Sequence, residues 1–275
     1  MTQLPPIIVC TLVRNGGAGL ARSLGTVQRL MSASEKSYCI VVTNDNTDGT
    51  IEHLQHWKGT SSSIELQILD GLAKAYPNRS DRLAVARNFY LKSVHDVSLR
   101  EFEFVCILDL DGLNDGVTAE HVASAMSLSN HWDGLFANQR GPYYDLYALR
   151  HPSWCPADVW HEIKHAARSP FRKMRGRRAI RRFIHDRQFQ IFPDTPPIAV
   201  QSAFGGLGIY RKSALLDCWY GSRDKKGQPV CEHVVLHQQM VARGAKLFIA
   251  PALLNDTPKE HIGPTSGQPF PLHYC

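Results

Sequence analysis

Four short apolar runs, each stopping at a polar loop, constrain this chain more than any other feature. Pro6-Ile-Ile-Val-Cys-Thr-Leu12, Tyr38-Cys-Ile-Val-Val-Thr43 and Phe104-Val-Cys-Ile-Leu108 are nearly continuous in apolar residues, and Ile64-Glu-Leu-Gln-Ile-Leu69 alternates. Runs this short and this rich in β-branched residues predict strands. Helical patterns fit 20–31, 51–57 and 82–94 between them. Strands apolar on both faces, alternating with helices, predict an α/β fold: a Rossmann-type, mostly parallel sheet flanked by helices. The second half is less regular. Short strands are expected at 134–138 and 145–149, a helix at 232–242 and a closing strand at 246–250.

A chain of 275 residues with 43% apolar content can bury one large core, which excludes a mainly disordered protein. The expected organisation is one domain over 1–256 and an irregular tail over 257–275. No apolar stretch approaches the ~18 residues that a membrane span needs. The N-terminus carries no basic region ahead of an apolar stretch, so a cytoplasmic location is expected. Seven cysteines without a Cys-x-x-Cys pair read as reduced thiols, with Cys10, Cys39 and Cys106 inside predicted strands.

The net charge of +6 is concentrated in one place. Ten basic residues lie within 161–187 against Glu162 and Asp186 alone, so this insertion carries +8 and the remainder of the chain is slightly acidic. Ile180, Phe183 and Ile184 stand among the arginines at helical spacing. An amphipathic basic helix of this kind suits the surface of an anionic membrane, and a peripheral contact through 164–187 is expected. A solvated charged loop is the plainer reading. No nucleic-acid module accompanies the arginines, so no nucleic-acid partner is expected.

Chemistry gathers at strand ends. Asp109-Leu-Asp111 follows a buried strand, where α/β sheets bind ligands, and two carboxylates at i and i+2 can converge on one hard cation, Mn²⁺ or Mg²⁺. Such a cation neutralises a diphosphate leaving group. Asn44-Asp-Asn-Thr-Asp-Gly-Thr50 can build turns and cap a helix, and Asp45 can also read a nucleobase or ribose. Arg82 and Arg87 can pair with phosphate, with Asn88 supporting the metal loop, or they are solvated helix residues. Gly205-Gly206-Leu-Gly208 permits close backbone approach to a ligand or marks a bare turn. Glu232 opens a helix after Cys231, as a general base for an acceptor hydroxyl or as a favourable first-turn acid. A third metal ligand is expected from His233, His237 or His261.

Together these segments resemble the nucleotide-sugar-dependent glycosyltransferases of the GT-A type. Asn44–Thr50 resembles that family's D-x-S-T-D-G-T segment, Ala86-Arg-Asn88 its A-R-N segment, and Asp109-Leu-Asp111 its metal-binding D-x-D. Trp132-Asp-Gly-Leu-Phe-Ala-Asn138, Tyr143–Arg150, Gly205–Arg211 and Cys231-Glu-His233 are similar to the fungal capsule-associated mannosyltransferases and their bacterial relatives. The resemblance implies a donor-binding half over about 1–115 and an acceptor-binding half over about 116–256. It further implies a nucleotide-sugar donor held by Thr11, Arg14, Asp45, Arg82, Arg87, Asp109, Gly205 and Gly206. The metal would sit on Asp109, Asp111 and His261, with Glu232 as the catalytic base. A glycan or lipid-linked glycan acceptor and a place in surface-polysaccharide biosynthesis follow from the same resemblance. The rivals are a sugar nucleotidyltransferase, a dinucleotide-binding oxidoreductase suggested by the glycines after the first strand, and a catalytically dead polyanion- or membrane-binding protein.

Overall fold

The apolar runs become one half of a single eight-stranded sheet. The structure, a computed structural model, describes residues 2–129, 131–167 and 176–275. In chain order the elements are β1 (Ile7–Val13), α1 (Leu20–Ala33), β2 (Ser37–Asn44), α2 (Thr50–Lys58), β3 (Ile64–Leu69), α3 (Leu72–Ala75), α4 (Arg79–Val94) and β4 (Phe104–Asp109). They continue as α5 (Ala119–Met126), β5 (Gly134–Gln139), α6 (Val159–Ala167), α7 (Gly176–Phe183), β6 (Ile198–Val200), β7 (Leu207–Arg211), α8 (Glu232–Ala242) and β8 (Leu247–Asn255).

The strand order is β3-β2-β1-β4-β7-β5-β8-β6. The pairs β1/β2, β2/β3, β1/β4 and β5/β8 are parallel, while β4/β7, β5/β7 and β6/β8 are antiparallel. The expected mostly parallel α/β architecture is therefore present, with antiparallel strands in its second half.

Every residue of β1 is buried, so the strand feeds two cores at once. Ile8, Cys10 and Leu12 pack with Tyr90 and Leu91 of α4 and Leu236 and Met240 of α8. Ile7, Val9 and Val13 pack on the opposite face with Leu20, Leu24 and Val27 of α1 and Val122 of α5. The chain leaves β1 toward β2 and β3 on one side and reaches β4 on the other. Connections diverge at that switch point, which opens a crevice beyond the carboxyl ends of β1 and β4.

Two expectations need correction. Residues 145–149 form a turn, not a strand, because the Asp145 carboxylate accepts the Ala148 N–H at 3.2 Å and bends the chain there. The glycine-rich run at 205–208 leads straight into β7, which pairs antiparallel with β4 through Leu108 and Leu207. The tail, expected to be irregular, carries 3₁₀ turns and an isolated bridge from Pro269 to Gln190, and it packs firmly. Phe270 is buried against Trp154 with ring centroids 5.1 Å apart, and the Tyr274 carbonyl lies 2.9 Å from His151 Nε2. All seven cysteines are free, and six are buried.

Candidate active cleft

At the carboxyl ends of β1 and β2 the two loops are sewn to each other. Asn15 donates its backbone N–H to Asn46 Oδ1, and its side-chain oxygen accepts the Thr47 N–H, both at 2.8 Å. Gly16 N–H donates to Thr50 Oγ1 at 2.9 Å and Gly17 N–H to Asp48 Oδ2 at 3.1 Å. Asp45 takes a left-handed φ of 45° and grips the loop after β3, its carboxylate accepting the Gly71 N–H at 2.7 Å and the Ala73 N–H at 2.8 Å. The Asn44 amide beside it, followed by those backbone donors, lowers its carboxyl below the usual value. Much of the polar run 44–50 thus builds the cleft rim, and Asn44 is its member that lines the cleft.

Beyond β4, the carboxylates converge on one arginine. Arg87, on the buried side of α4 and 3% exposed, donates from Nη2 to Asp109 Oδ1 at 2.9 Å and from Nε to Glu232 Oε1 at 3.0 Å. Phe204 and Tyr220 cover the guanidinium, with ring centroids 5.2 and 5.9 Å away. One buried cation therefore fixes a residue at the end of β4 against a residue that opens α8. Asp111, two residues on, faces the cleft, and its carboxyl is raised to about 6 by the cleft walls that limit its hydration and by Asp109 beside it. The Asn88 side chain fastens α4 to the Tyr220 backbone, donating from Nδ2 to its carbonyl at 2.9 Å and accepting its N–H on Oδ1 at 2.8 Å, away from the Asp109 loop.

Gly205 and Gly206 stand beside Asp109 because β7 runs antiparallel to β4. Their carbonyls are held by buried amides that the motifs did not single out. Asn255 Nδ2 donates to the Gly205 carbonyl at 2.7 Å, Asn114 Nδ2 to the Gly206 carbonyl at 2.9 Å and to the Asp109 carbonyl at 2.9 Å. Gly205 N–H in turn donates to Asp145 Oδ2 at 3.0 Å. Gly205 has φ of 63°, and a Cβ there would lie 2.9 Å from the Ala137 carbonyl oxygen and 2.7 Å from Gln139 Nε2. Gly205→Ala is expected to destabilise the fold by about 2–4 kcal/mol in urea unfolding, from left-handed strain plus overpacking. A wild-type midpoint would show that the loop relaxes freely.

Two cavities meet at this point. One, of about 750 Å³, lies over β1 and β4 and is lined by Arg14, Arg22, Arg79, Arg82 and Arg87 together with Asn44, Asp109, Asp111 and Asp115. The other, of about 710 Å³, lies toward α8 and is lined by Tyr144, Asp145, Tyr147, Trp160, Glu232 and His261, among others. Arg79, Leu83, Arg87, Asp109 and Asp111 belong to both. The structure thus brings together Arg14, Arg82, Arg87, Asp109, Asp111, Glu232 and His261. Thr11, Asp45, Gly205 and Gly206 line neither cavity. Thr11 is fully buried in β1, and its hydroxyl has no partner among the described residues.

Arg82 is partly engaged, donating from Nη1 to the carbonyls of Tyr76 and Pro77 at 2.9 and 2.6 Å. Arg79, which the motif reading passed over, is an exposed first-turn residue of α4 on the wall of both cavities. Its helical spacing from Leu83 and Arg87 was the available signal.

The histidine candidates separate. His237 is buried between Ser202 Oγ at 2.9 Å and the Tyr210 hydroxyl at 3.0 Å, which makes it a core residue and not a cleft ligand. His233 lines the second cavity but stacks face to face on Phe204 at 3.7 Å, and burial holds its pKa well below the usual value. His261 stacks on Tyr144 at 5.9 Å in the second cavity.

The basic insertion forms a wall. α7 turns Ile180 into the second cavity, followed by Ile184, and α6 adds Trp160. Phe183 faces elsewhere, beneath Arg182 and Arg187 with ring distances of 5.4 and 5.2 Å, so it does not share the Ile180/Ile184 face. Arg168, Arg172, Lys173 and Arg175 lie outside the described residues.

Among the described residues no three His, Cys, Asp or Glu side chains converge closely enough to hold a metal unaided. The donor set does suit a cation that keeps water and substrate oxygens in its shell, since Mg²⁺-type sites use one or two carboxylates plus phosphates. Asp109 and Asp111 line both cavities, so a cation on them would also meet substrate oxygens there.

No protein-family model matches the sequence. Among solved structures, the chain superposes on a mannosyltransferase from Pyrobaculum calidifontis in complex with GDP-mannose and Mn²⁺, with a TM-score of 0.50 and 14% identity over 92% of this chain. It spans 57% of that protein's length. Weaker likenesses join it to residues 1–349 of TarS from S. aureus (TM-score 0.47, 13% identity, 90% of this chain and 59% of that one). Glucosyl-3-phosphoglycerate synthase from Mycobacterium tuberculosis gives a TM-score of 0.40 and 12% identity over 86% of this chain and 63% of that one. The fold is that of the GT-A glycosyltransferases.

Proposed function

We propose that this chain is a glycosyltransferase that moves a sugar from a nucleoside diphosphate to a hydroxyl of a glycan or lipid-linked glycan. The observation that carries the reading is the meeting of two chambers at Asp109, Asp111 and Arg87, at the switch point of the sheet. A donor and an acceptor can therefore face each other across the same carboxylates. The first chamber presents five arginines against three aspartates, a balance suited to a diphosphate.

Arg14, Arg79 and Arg82 bind the donor's phosphates in this reading, with the interlocked loops around Asn44 and Asp45 shaping the nucleoside end. Arg87 positions Asp109 and Glu232 relative to each other. Asp109 and Asp111 would hold a divalent cation, Mn²⁺ or Mg²⁺, with water and substrate oxygens completing its shell. His261 lines the acceptor chamber outside any three-residue ligand set among the described residues. When bound, that cation supplies charge neutralisation at the diphosphate. The bond from the anomeric carbon to the diphosphate oxygen breaks, its electron pair leaving with the nucleoside diphosphate. The acceptor oxygen bonds to the anomeric carbon, and its proton passes to the Glu232 carboxylate.

The glycine run after β1 disfavours a nucleotidyltransferase. Its Asn15, Gly16 and Gly17 amides already donate to side chains of the neighbouring loop, where a phosphate-cradling loop would keep them free. A role in surface-polysaccharide synthesis rests on the resemblance to the capsule-associated mannosyltransferases. Peripheral attachment at the inner face of a membrane rests on the exposed Arg177, Arg178, Arg181 and Arg182 of α7. No described helix is long and apolar enough to cross a membrane. The test is release of nucleoside diphosphate from a panel of nucleotide sugars, with and without divalent cation.

A further inference from the structure

The pair α6 and α7 has two working flanks, and only one of them belongs to the chambers described above. On the other flank lies a groove of about 680 Å³ lined by His161, Glu162, His165, Arg178, Arg182 and Phe183. His161 and His165 are four residues apart on α6, and Arg178 and Arg182 are four apart on α7, so each helix presents one face of basic side chains. The groove's single carboxylate is already engaged. Glu162 accepts a fork from Arg187, with Nη1 at 2.6 Å and Nη2 at 3.2 Å. The Arg178 and Arg182 guanidinia therefore dominate the groove, and paired guanidinia match the geometry of phosphate oxygens.

The chamber flank of the same helices is apolar. Trp160, 50% exposed, and Ile180, 36% exposed, stand at the wall of the acceptor chamber that ends at Asp111 and Glu232. Arg177 and Arg181 complete the outer surface of α7. Exposed aromatic and aliphatic side chains beside arginines are the composition that seats at a lipid headgroup boundary. A ligand that uses both flanks carries a phosphate, an apolar chain and a saccharide hydroxyl on one molecule.

We propose that the α6–α7 groove binds the phosphate of a lipid-phosphate-linked saccharide, whose apolar chain packs on Trp160 and Ile180 at the mouth of the acceptor chamber and whose sugar enters that chamber. The inference rests on the transferase reading, since it names the acceptor class for that chamber. It also commits to a lipid-borne phosphate over a soluble one, which the test separates.

The experiment is calorimetry on the full chain in EDTA, with geranyl diphosphate, inorganic diphosphate and geraniol as separate probes. Geranyl diphosphate is expected to bind at least tenfold more tightly than either of the others. Arg178→Ser/Arg182→Ser should weaken it at least tenfold, while Trp160→Ser/Ile180→Ser should reduce its affinity to that of inorganic diphosphate. Thermal melting of each variant confirms that it is folded. Wild-type affinity in the arginine variant overturns the groove as the phosphate site. Equal binding of inorganic and geranyl diphosphate overturns the lipid-borne source. Because no donor or metal is present, the readout is independent of turnover. Geranyl diphosphate binding in a chain that consumes no nucleotide sugar would remove the transferase reading and keep the groove.

Discussion

Arg87→Met is expected to lower the stability of the fold by about 3–5 kcal/mol at neutral pH, the cost of leaving the buried Glu232 carboxylate and the half-buried Asp109 carboxylate without their cation. Arg87 is 3% exposed and holds Asp109 and Glu232 at 2.9 and 3.0 Å, so methionine fills the volume but leaves two close negative charges unopposed. Protonating either carboxylate removes one of the unopposed charges, so the penalty is full at neutral pH and is relieved as pH falls into the acid range. Arg87→Lys keeps the charge but cannot fork between two acceptors, so it should fall between methionine and wild type. Urea unfolding at pH 7 and pH 4.5 measures all three. A methionine variant within 1 kcal/mol of wild type at pH 7 would mean that Arg87 does not join the two halves of the cleft.

Glu232→Gln is expected to slow sugar transfer about 10²–10⁴-fold, the range for removing a general base, with nucleoside diphosphate affinity retained. Glutamine preserves the side chain's shape and can still accept from Arg87 Nε, so the cleft should remain assembled. The measurement is the single-turnover transfer rate beside calorimetry of nucleoside diphosphate binding. Were Glu232 only the structural partner of Arg87, the change would cost stability and leave transfer intact.

How much of this was legible depended on sequence distance. Asp109 and Asp111 could be placed because a continuous apolar strand leads directly to them, and burial on both faces puts that strand inside the sheet, where β4 lies between β1 and β7. The helix 232–242 follows from its apolar spacing and its leading acid. The turn at 145–149 was misread because alternation cannot reveal that Asp145 captures the amides of Ala148 and Gly205. Strand β7 is hidden by the two glycines that precede it, Gly206 and Gly205, whose carbonyls are held by Asn114 and Asn255, 92 and 50 residues away. The run 44–50 was correctly a loop at a strand end. That most of its side chains bond to the next loop, 31 to 34 residues away, no local pattern could show. His233 and His237 share a helix face at i and i+4, a spacing that suits ligands and core residues equally. Burial in an aromatic stack decided between them.

The central claim is that Asp109 and Asp111 couple a divalent cation to the departing diphosphate of a nucleotide sugar. Its most direct test is nucleoside diphosphate release from a panel of UDP- and GDP-sugars, titrated with Mn²⁺, for wild type, Asp109→Asn and Asp111→Asn. The account predicts release from at least one donor that rises with Mn²⁺, is abolished by EDTA and falls at least 10²-fold in both variants. Release that is indifferent to EDTA and to both substitutions would contradict it.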